Sequence, residues 1–195
     1  MKATKHALVA AATELFRTKG YSGMSMQDLA DRTGLRKASL YTRFPNKESL
    51  VPDVMGAVLE EAFAGSQVEG RSWNEAYATT IRSIADGLLR NKRCVGLHLA
   101  YGIGDETPLA KQAVVDFFQA HLDRLTAILA DAVPRETAQE LAADAMSRLE
   151  GATLLVALLN DRQSMERAVR AVLKDAQDAA TAHAHASVPS KALQL

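Results

Sequence analysis

Apolar positions recur at helical spacing along almost the whole chain. Leu8, Ala12, Leu15 and Phe16 fall at i, i+4, i+7 and i+8, the buried stripe of a first helix expected over residues 4–19. Thr4 can cap its start, and Gly20 supplies a left-handed stop. Ser25-Met26-Gln27-Asp28 is close to a capping box, with Asp in place of the usual Glu, and opens a short helix that ends at Thr33-Gly34. A third helix is expected over residues 37–43. Pro45 forbids its continuation, and Asn46 caps a fourth over residues 47–64. A loop over residues 65–70 follows. The box Ser72-Trp73-Asn74-Glu75 then starts a helix with the stripe Trp73, Tyr77, Ile81, Ile84 and Leu88. A shorter helix near residues 95–101 dissolves in Gly102-Ile103-Gly104-Asp105. Thr107 with Pro108 at the first helical position opens the next, which carries Val114, Phe117, Phe118, His121, Leu125 and Ile128 and stops before Pro134. Thr137-Ala138-Gln139-Glu140 opens a helix to about Leu159, and the last begins near Ser164 with Met165, Ala168, Val169, Val172 and Ala176. The Ala/His-rich end from His183 reads as a frayed tail. The pattern predicts an all-α chain of about nine helices.

Composition agrees with the pattern. The 195 residues include 35 Ala and 24 Leu against 13 Val and 4 Ile, a helix former's balance that disfavours a large sheet. One cysteine excludes an intramolecular disulfide framework, and the absence of a run of about 18 apolar residues leaves a cytoplasmic protein as the expectation. The 23 bases and 23 acids cancel overall but not locally. Residues 1–50 hold nine bases and four acids, a net of +5, and residues 51–195 hold 14 bases and 19 acids, a net of −5. Such asymmetry points to a polyanion-binding segment joined to a body of another purpose.

The two short helices around Thr33-Gly34-Leu35-Arg36 outline a helix-turn-helix. Leu29, Ala30, Leu35, Leu40 and Phe44 can hold the pair from inside. That leaves Arg36, Lys37, Ser39, Thr42 and Arg43 pointing outward, where a second helix meets base edges in a major groove. Arg and Lys can donate to guanine, whereas Ser and Thr read several bases. Lys47, at the start of the fourth helix, is expected to add an ammonium to helix-terminal amides that already favour a phosphate. Arg17, Lys19 and Arg32 are expected to be solvated charges outside the contact surface.

Gly20-Tyr21, Leu29-Ala30, Gly34-Leu35, Leu40-Tyr41, Phe44, Asn46-Lys47-Glu48 and Leu50, at these spacings, resemble the N-terminal signature of TetR-type transcriptional regulators over roughly the first 50 residues. Beyond them the likeness is one of length, helix count and the Leu149-Glu150-Gly151-Ala152 segment. The resemblance implies a three-helix DNA-binding domain over residues 1–46 and a helical ligand-binding and dimerisation domain over residues 47–183. Residues 184–195 are left as a flexible tail. It implies a homodimer that binds a two-fold operator in double-stranded DNA and is released by a small effector. Carried over by position, Gln27 matches a base contact, and Lys37, Ala38 and Ser39 match the base-reading start of the recognition helix. Tyr41 and Lys47 match phosphate contacts, and Thr42 and Arg43 match further groove or backbone contacts. Arg36 stands where relatives often carry a small capping residue such as Ser, so a cap is lost and a base or phosphate donor gained. Met24 and Met26 stand where Thr is frequent.

In the body, the segment from Gly151 to Leu159 is apolar almost all round, with Thr153 as its only polar side chain, and must be covered on more than one side. Leu155 and Leu158, with Met165, Val169 and Val172 of the last helix, are the expected dimer seam. Two heads on one duplex face need a spacing of roughly 34–36 Å, which a two-fold dimer supplies. The expected effector walls are Trp73, Tyr77, Ile81, Leu97, His98, Tyr101, Phe117, Phe118 and His121, with Val114 and Leu125 beside them. This set suits a mainly apolar or aromatic molecule oriented by a few polar atoms. Cys94, following Asn91-Lys92-Arg93 at a helix start, is an alternative redox or electrophile sensor. His183 and His185 lack metal-ligand companions, and no cofactor motif is present, so neither metal nor cofactor is expected. An all-helical enzyme using Glu150 or His121 is the remaining rival to a regulator.

Overall fold

The computed structural model describes residues 4–64 and 70–187. Nine α-helices and no strand occur among the described residues: α1 Lys5–Gly23, α2 Met26–Thr33, α3 Lys37–Tyr41, α4 Val51–Phe63, α5 Trp73–Asn91, α6 Val95–Ala100, α7 Pro108–Leu129, α8 Arg135–Leu159 and α9 Arg162–Ser187. A single 3-10 turn over Glu48–Leu50 leads into α4. The fold is all-α, as the periodicity implies.

Several boundaries depart from the pattern for identifiable reasons. Gly20 does not end α1. Its φ of 69° and ψ of −179° break the helix there, and one more turn follows before Met24. That combination is essentially confined to glycine, and a Cβ at this position would lie 3.1 Å from Nε2 of His98. The recognition-type helix α3 is shorter than residues 37–43, ending at Tyr41. α7 stops before Pro134, at Leu129, and Pro134 itself stands as the N-cap of α8. Its missing N–H is not needed there, and its carbonyl accepts from the Ala138 amide at 2.9 Å. The Thr137 box therefore lies within the helix. The last helix starts at Arg162, two residues before Ser164, because Asn160 turns left-handed (φ 54°) and the Asp161 carboxylate takes the Ser164 amide at 3.2 Å. It also continues to Ser187, so residues 183–187, expected as tail, are helical. The loop expected over residues 65–70 lies outside the described residues except for Gly70, and so does the tail beyond residue 187.

The chain forms two compact units. The first comprises Met1–Ala64 and Asn91–His121, and the second Gly65–Arg90 and Leu122–Leu195. The break expected at residue 46 is thus not where compactness divides the chain. In the first unit Leu8, Phe16, Leu29, Leu40, Leu50, Val54 and Leu99 are fully buried in one cluster that joins α1 to α4 with α6 and the start of α7. In the second, α8 packs along α9. Its interior includes Tyr77, Ile81, Leu125, Leu129, Leu149, Met165 and Val172. No described helix is long and apolar enough to cross a membrane.

Candidate nucleic-acid interface

The interface begins with two caps. At the start of α2, the Asp28 amide donates to Ser25 Oγ at 3.1 Å and the Ser25 amide donates to Asp28 Oδ2 at 2.8 Å, so the capping box closes with Asp as the third member. Asp28 also pairs with the Lys19 ammonium. At the other end Gly34 turns left-handed (φ 66°, ψ 18°), and the Leu35 amide reaches the Ala30 carbonyl at 3.1 Å. This turn ends α2 after eight residues and redirects the chain into α3. Leu29, Ala30, Leu40 and Phe44 are buried beneath the pair, and Leu35 is half-buried.

The outward face is the one the sequence singles out. Gln27, Arg36, Lys37, Ala38, Ser39, Tyr41, Thr42 and Arg43 are all exposed. Arg36 is the N-cap of α3 and forms no side-chain cap, as its replacement of a small hydroxyl residue implies. Neither Arg36 nor Lys37 has a carboxylate partner among the described residues; the Lys37 ammonium lies 5.9 Å from the centroid of the Tyr41 ring. Gln27 donates to Asp31 at 2.7 Å, and the Thr42 hydroxyl donates to the Ala38 carbonyl at 3.1 Å.

Other N-terminal bases are engaged within the protein. Arg17, expected to be solvated, is buried and paired with Glu14. Lys19 holds Asp28, and Lys5 pairs with Asp53 at 2.9 Å. Lys47 is half-buried: its ammonium donates to the Tyr21 carbonyl at 2.6 Å and to the Met24 carbonyl at 3.1 Å, and it lies 4.3 Å from the Tyr21 ring centroid. Burial lowers its pKa from the ordinary lysine value. The ammonium that sequence reasoning assigns to phosphate therefore serves the fold first. Asn46 Oδ1 accepts from the Ser49 amide at 2.9 Å, but this bond closes the 3-10 turn, and α4 begins only at Val51 rather than at residue 47.

The expected effector residues fall in both units. Trp73, Tyr77 and Ile81 form one stripe of α5 in the second unit, where Tyr77 is buried and its hydroxyl has no hydrogen-bond partner among the described residues. Burial raises the Tyr77 pKa above its ordinary value. In the first unit Phe117 packs edge-on to Phe118 and His121 with centroids 5.2 and 4.6 Å apart. Phe63, which sequence reasoning missed, covers His121 at 5.0 Å. The buried His121 ring donates from Nδ1 to the Phe117 carbonyl at 2.9 Å, and burial lowers its pKa. Leu97 is half-buried. Two residues depart from the expectation. Tyr101 is 84% exposed and lines no interior. His98 faces α1, its Nδ1 3.0 Å from the Arg17 carbonyl. A groove of about 400 Å³ between α4 and α7, floored by Met55, Leu59 and Ala113, includes only Phe117 of the expected set. The Cys94 thiol is the N-cap of α6 and accepts from the Leu97 amide at 3.4 Å.

A helix-turn-helix with an exposed, partly basic second helix is the arrangement by which such motifs present side chains to a major groove. Residues 8–54 match the family model described as bacterial regulatory proteins, tetR family. The N-terminal segment of the chain is thus similar to the DNA-binding part of that family's regulators. The chain is 26% identical over 132 residues to the uncharacterized HTH-type transcriptional regulator YuxN of Bacillus subtilis, covering 64% of this chain and 45% of that protein. It is 26% identical over 115 residues to the HTH-type transcriptional repressor BdcR of Escherichia coli, covering 57% of this chain and 58% of that one. The chain thus spans about half the length of these curated relatives. A TetR transcriptional regulator from Legionella pneumophila shares its fold, with a TM-score of 0.80 and 24% identity over 90% of this chain and 98% of that chain.

Two measurements separate fold from recognition here. Lys47→Ala is expected to lower stability in the absence of DNA by about 1–3 kcal/mol, because two carbonyls lose a charged donor. Urea denaturation checks it, and a purely phosphate-binding lysine would leave the midpoint unchanged. Asp28 titrates at about 2, below its ordinary 3.8, first because of the Lys19 hydrogen bond and then because of Ser25. The unfolded chain takes up this proton first, so the contribution is complete above about pH 4 and is lost as pH falls toward 2. Asp28→Asn should therefore lower stability at neutral pH and flatten its decline between those values in a pH series of denaturation curves.

Proposed function

We propose that the protein is a ligand-responsive repressor that binds a two-fold operator as a homodimer. A small, mainly apolar or aromatic effector releases it. The exposed face of α3, with Arg36 and Lys37 lacking carboxylate partners beside the Gly34 turn, carries this reading. Arg36 and Lys37 read base edges. Gln27, Ala38, Ser39, Thr42 and Arg43 complete the groove face, and Tyr41 contacts phosphate. Lys47 reaches a phosphate only while anchoring the turn. The repressor name of the E. coli relative supports the sign of regulation.

Dimerisation is supported by leucines at the end of α8. Leu154, Leu155, Leu158 and Leu159 are 57%, 39%, 72% and 70% exposed. An apolar cluster of this kind on a single chain marks an interaction surface. The expected seam changes in one respect: Met165 and Val172 are buried within the unit and Val169 is half-buried, so α9 supports the seam from behind. The buried Tyr77 hydroxyl, unpartnered among the described residues, supports an effector that brings a hydrogen-bond acceptor into an apolar setting. A second reading, electrophile sensing at Cys94, is favoured by its capping position, where an α6 amide meets the sulfur.

Footprinting on DNA flanking the protein's own gene, with and without effector candidates, tests the whole reading. Arg36→Ala and Lys37→Ala are each expected to cost about 1–3 kcal/mol on the protected site and much less on random DNA. Equal losses on both would remove base reading from these residues. Leu158→Glu is expected to give a folded monomer by sedimentation, with operator affinity falling at least tenfold; an unchanged dimer would move the seam elsewhere.

A further inference from the structure

We propose that Glu48 is the positioning residue that couples α7 to the DNA-reading head. The inference rests on the regulator reading above and adds to it a route by which α7 reports to α2 and α3. Glu48 Oε1 accepts from the Leu109 amide at 2.6 Å and from the Ala110 amide at 3.2 Å, across 61 and 62 residues of sequence. These are orphan N–H groups of the first turn of α7, where a carboxylate bonds strongly. The residue before it, Lys47, reaches in the other direction, to the carbonyls of Tyr21 and Met24 that lead into the Ser25 cap of α2. Leu50 and Val51, directly after the turn, are fully buried and fix its backbone.

Two adjacent residues of opposite charge thus hold the head on one side and the α7 terminus on the other. The helix they hold runs unbroken from Pro108 to Leu129, with residues 108–121 in the first unit and 122–129 in the second. A shift of α7 along its axis pulls on Glu48, then on Lys47, then on the carbonyls that position α2. Glu48 needs no contact with DNA or effector for this role.

Amide hydrogen exchange on the full chain tests it, with and without the DNA duplex flanking its own gene, for the wild type, Glu48→Ala and Glu48→Gln. Without DNA, the Leu109 and Ala110 amides should exchange about tenfold faster in Glu48→Ala. With DNA, the wild type should show altered exchange over residues 122–129, and Glu48→Ala should lose that change while binding DNA within threefold of wild type. Glu48→Gln, which keeps an acceptor oxygen at the same reach, should lie between them. If Glu48→Ala does not fold, the Gln variant decides: a reduced change supports the coupling and an equal one overturns it. The coupling is also overturned if the wild type shows no DNA-linked change, if folded Glu48→Ala keeps it, or if that variant simply loses DNA binding. Failure of the wild type to retard the duplex is read beforehand and rejects the regulator reading itself, and the coupling with it.

Discussion

The head depends on one half-buried ammonium. Lys47 sits between two backbone carbonyls and the face of Tyr21, where α1 ends, α2 is about to begin and the turn into α4 passes. A charge placed there is costly unless its donors are used, and the geometry uses two of them and offers the third side a ring. Two segments distant in sequence, the α1–α2 link and the turn before α4, are thereby given one mutual arrangement. The short helices α2 and α3, of eight and five residues, are too brief to hold themselves. Their placement is inherited from this point and from the apolar contacts of Leu29, Leu40 and Phe44 beneath it.

Much of this was legible from residue order. Capping residues, the Gly34 turn, the Pro45 stop and the apolar stripes locate nearly every helix because each is a local signal. The exposed face of α3 follows from them by periodicity alone. Errors arose where one residue type serves two opposite purposes. Pro134 can close a helix or open one, and here it opens α8. Gly20 can end a helix or break it for a turn, and His98 across the contact leaves no space for a side chain. Long-range partners were not legible: nothing near Arg17 in sequence announces its burial, and nothing near Glu48 announces the amides of Leu109 and Ala110. The expected effector set failed in part for the same reason. An apolar stripe says which face is buried but not against what, so Tyr101 and His98 were grouped with residues they do not join.

The charge asymmetry takes on a narrower meaning. A net of +5 over the first 50 residues suggests a broadly basic head. Three of its nine bases are neutralised by carboxylates of the same unit, and a fourth is anchored in the turn before α4. Among the described residues, the other four bases are Arg32 near the end of α2, Arg36 and Lys37 at the start of α3, and Arg43 just after it. A small, directed patch favours orientation on the duplex over general adhesion to it.

The four leucines near the end of α8 bear on how such a protein behaves at different abundances. If they form the seam of the proposed homodimer, a chain must first find its copy, so the population able to span both operator halves rises with the square of concentration when protein is scarce. Doubling a low expression level then nearly quadruples the competent species, while halving it empties the operator quickly. Under the proposed homodimer, this exposed seam would make the response to gene dosage steep without any further device.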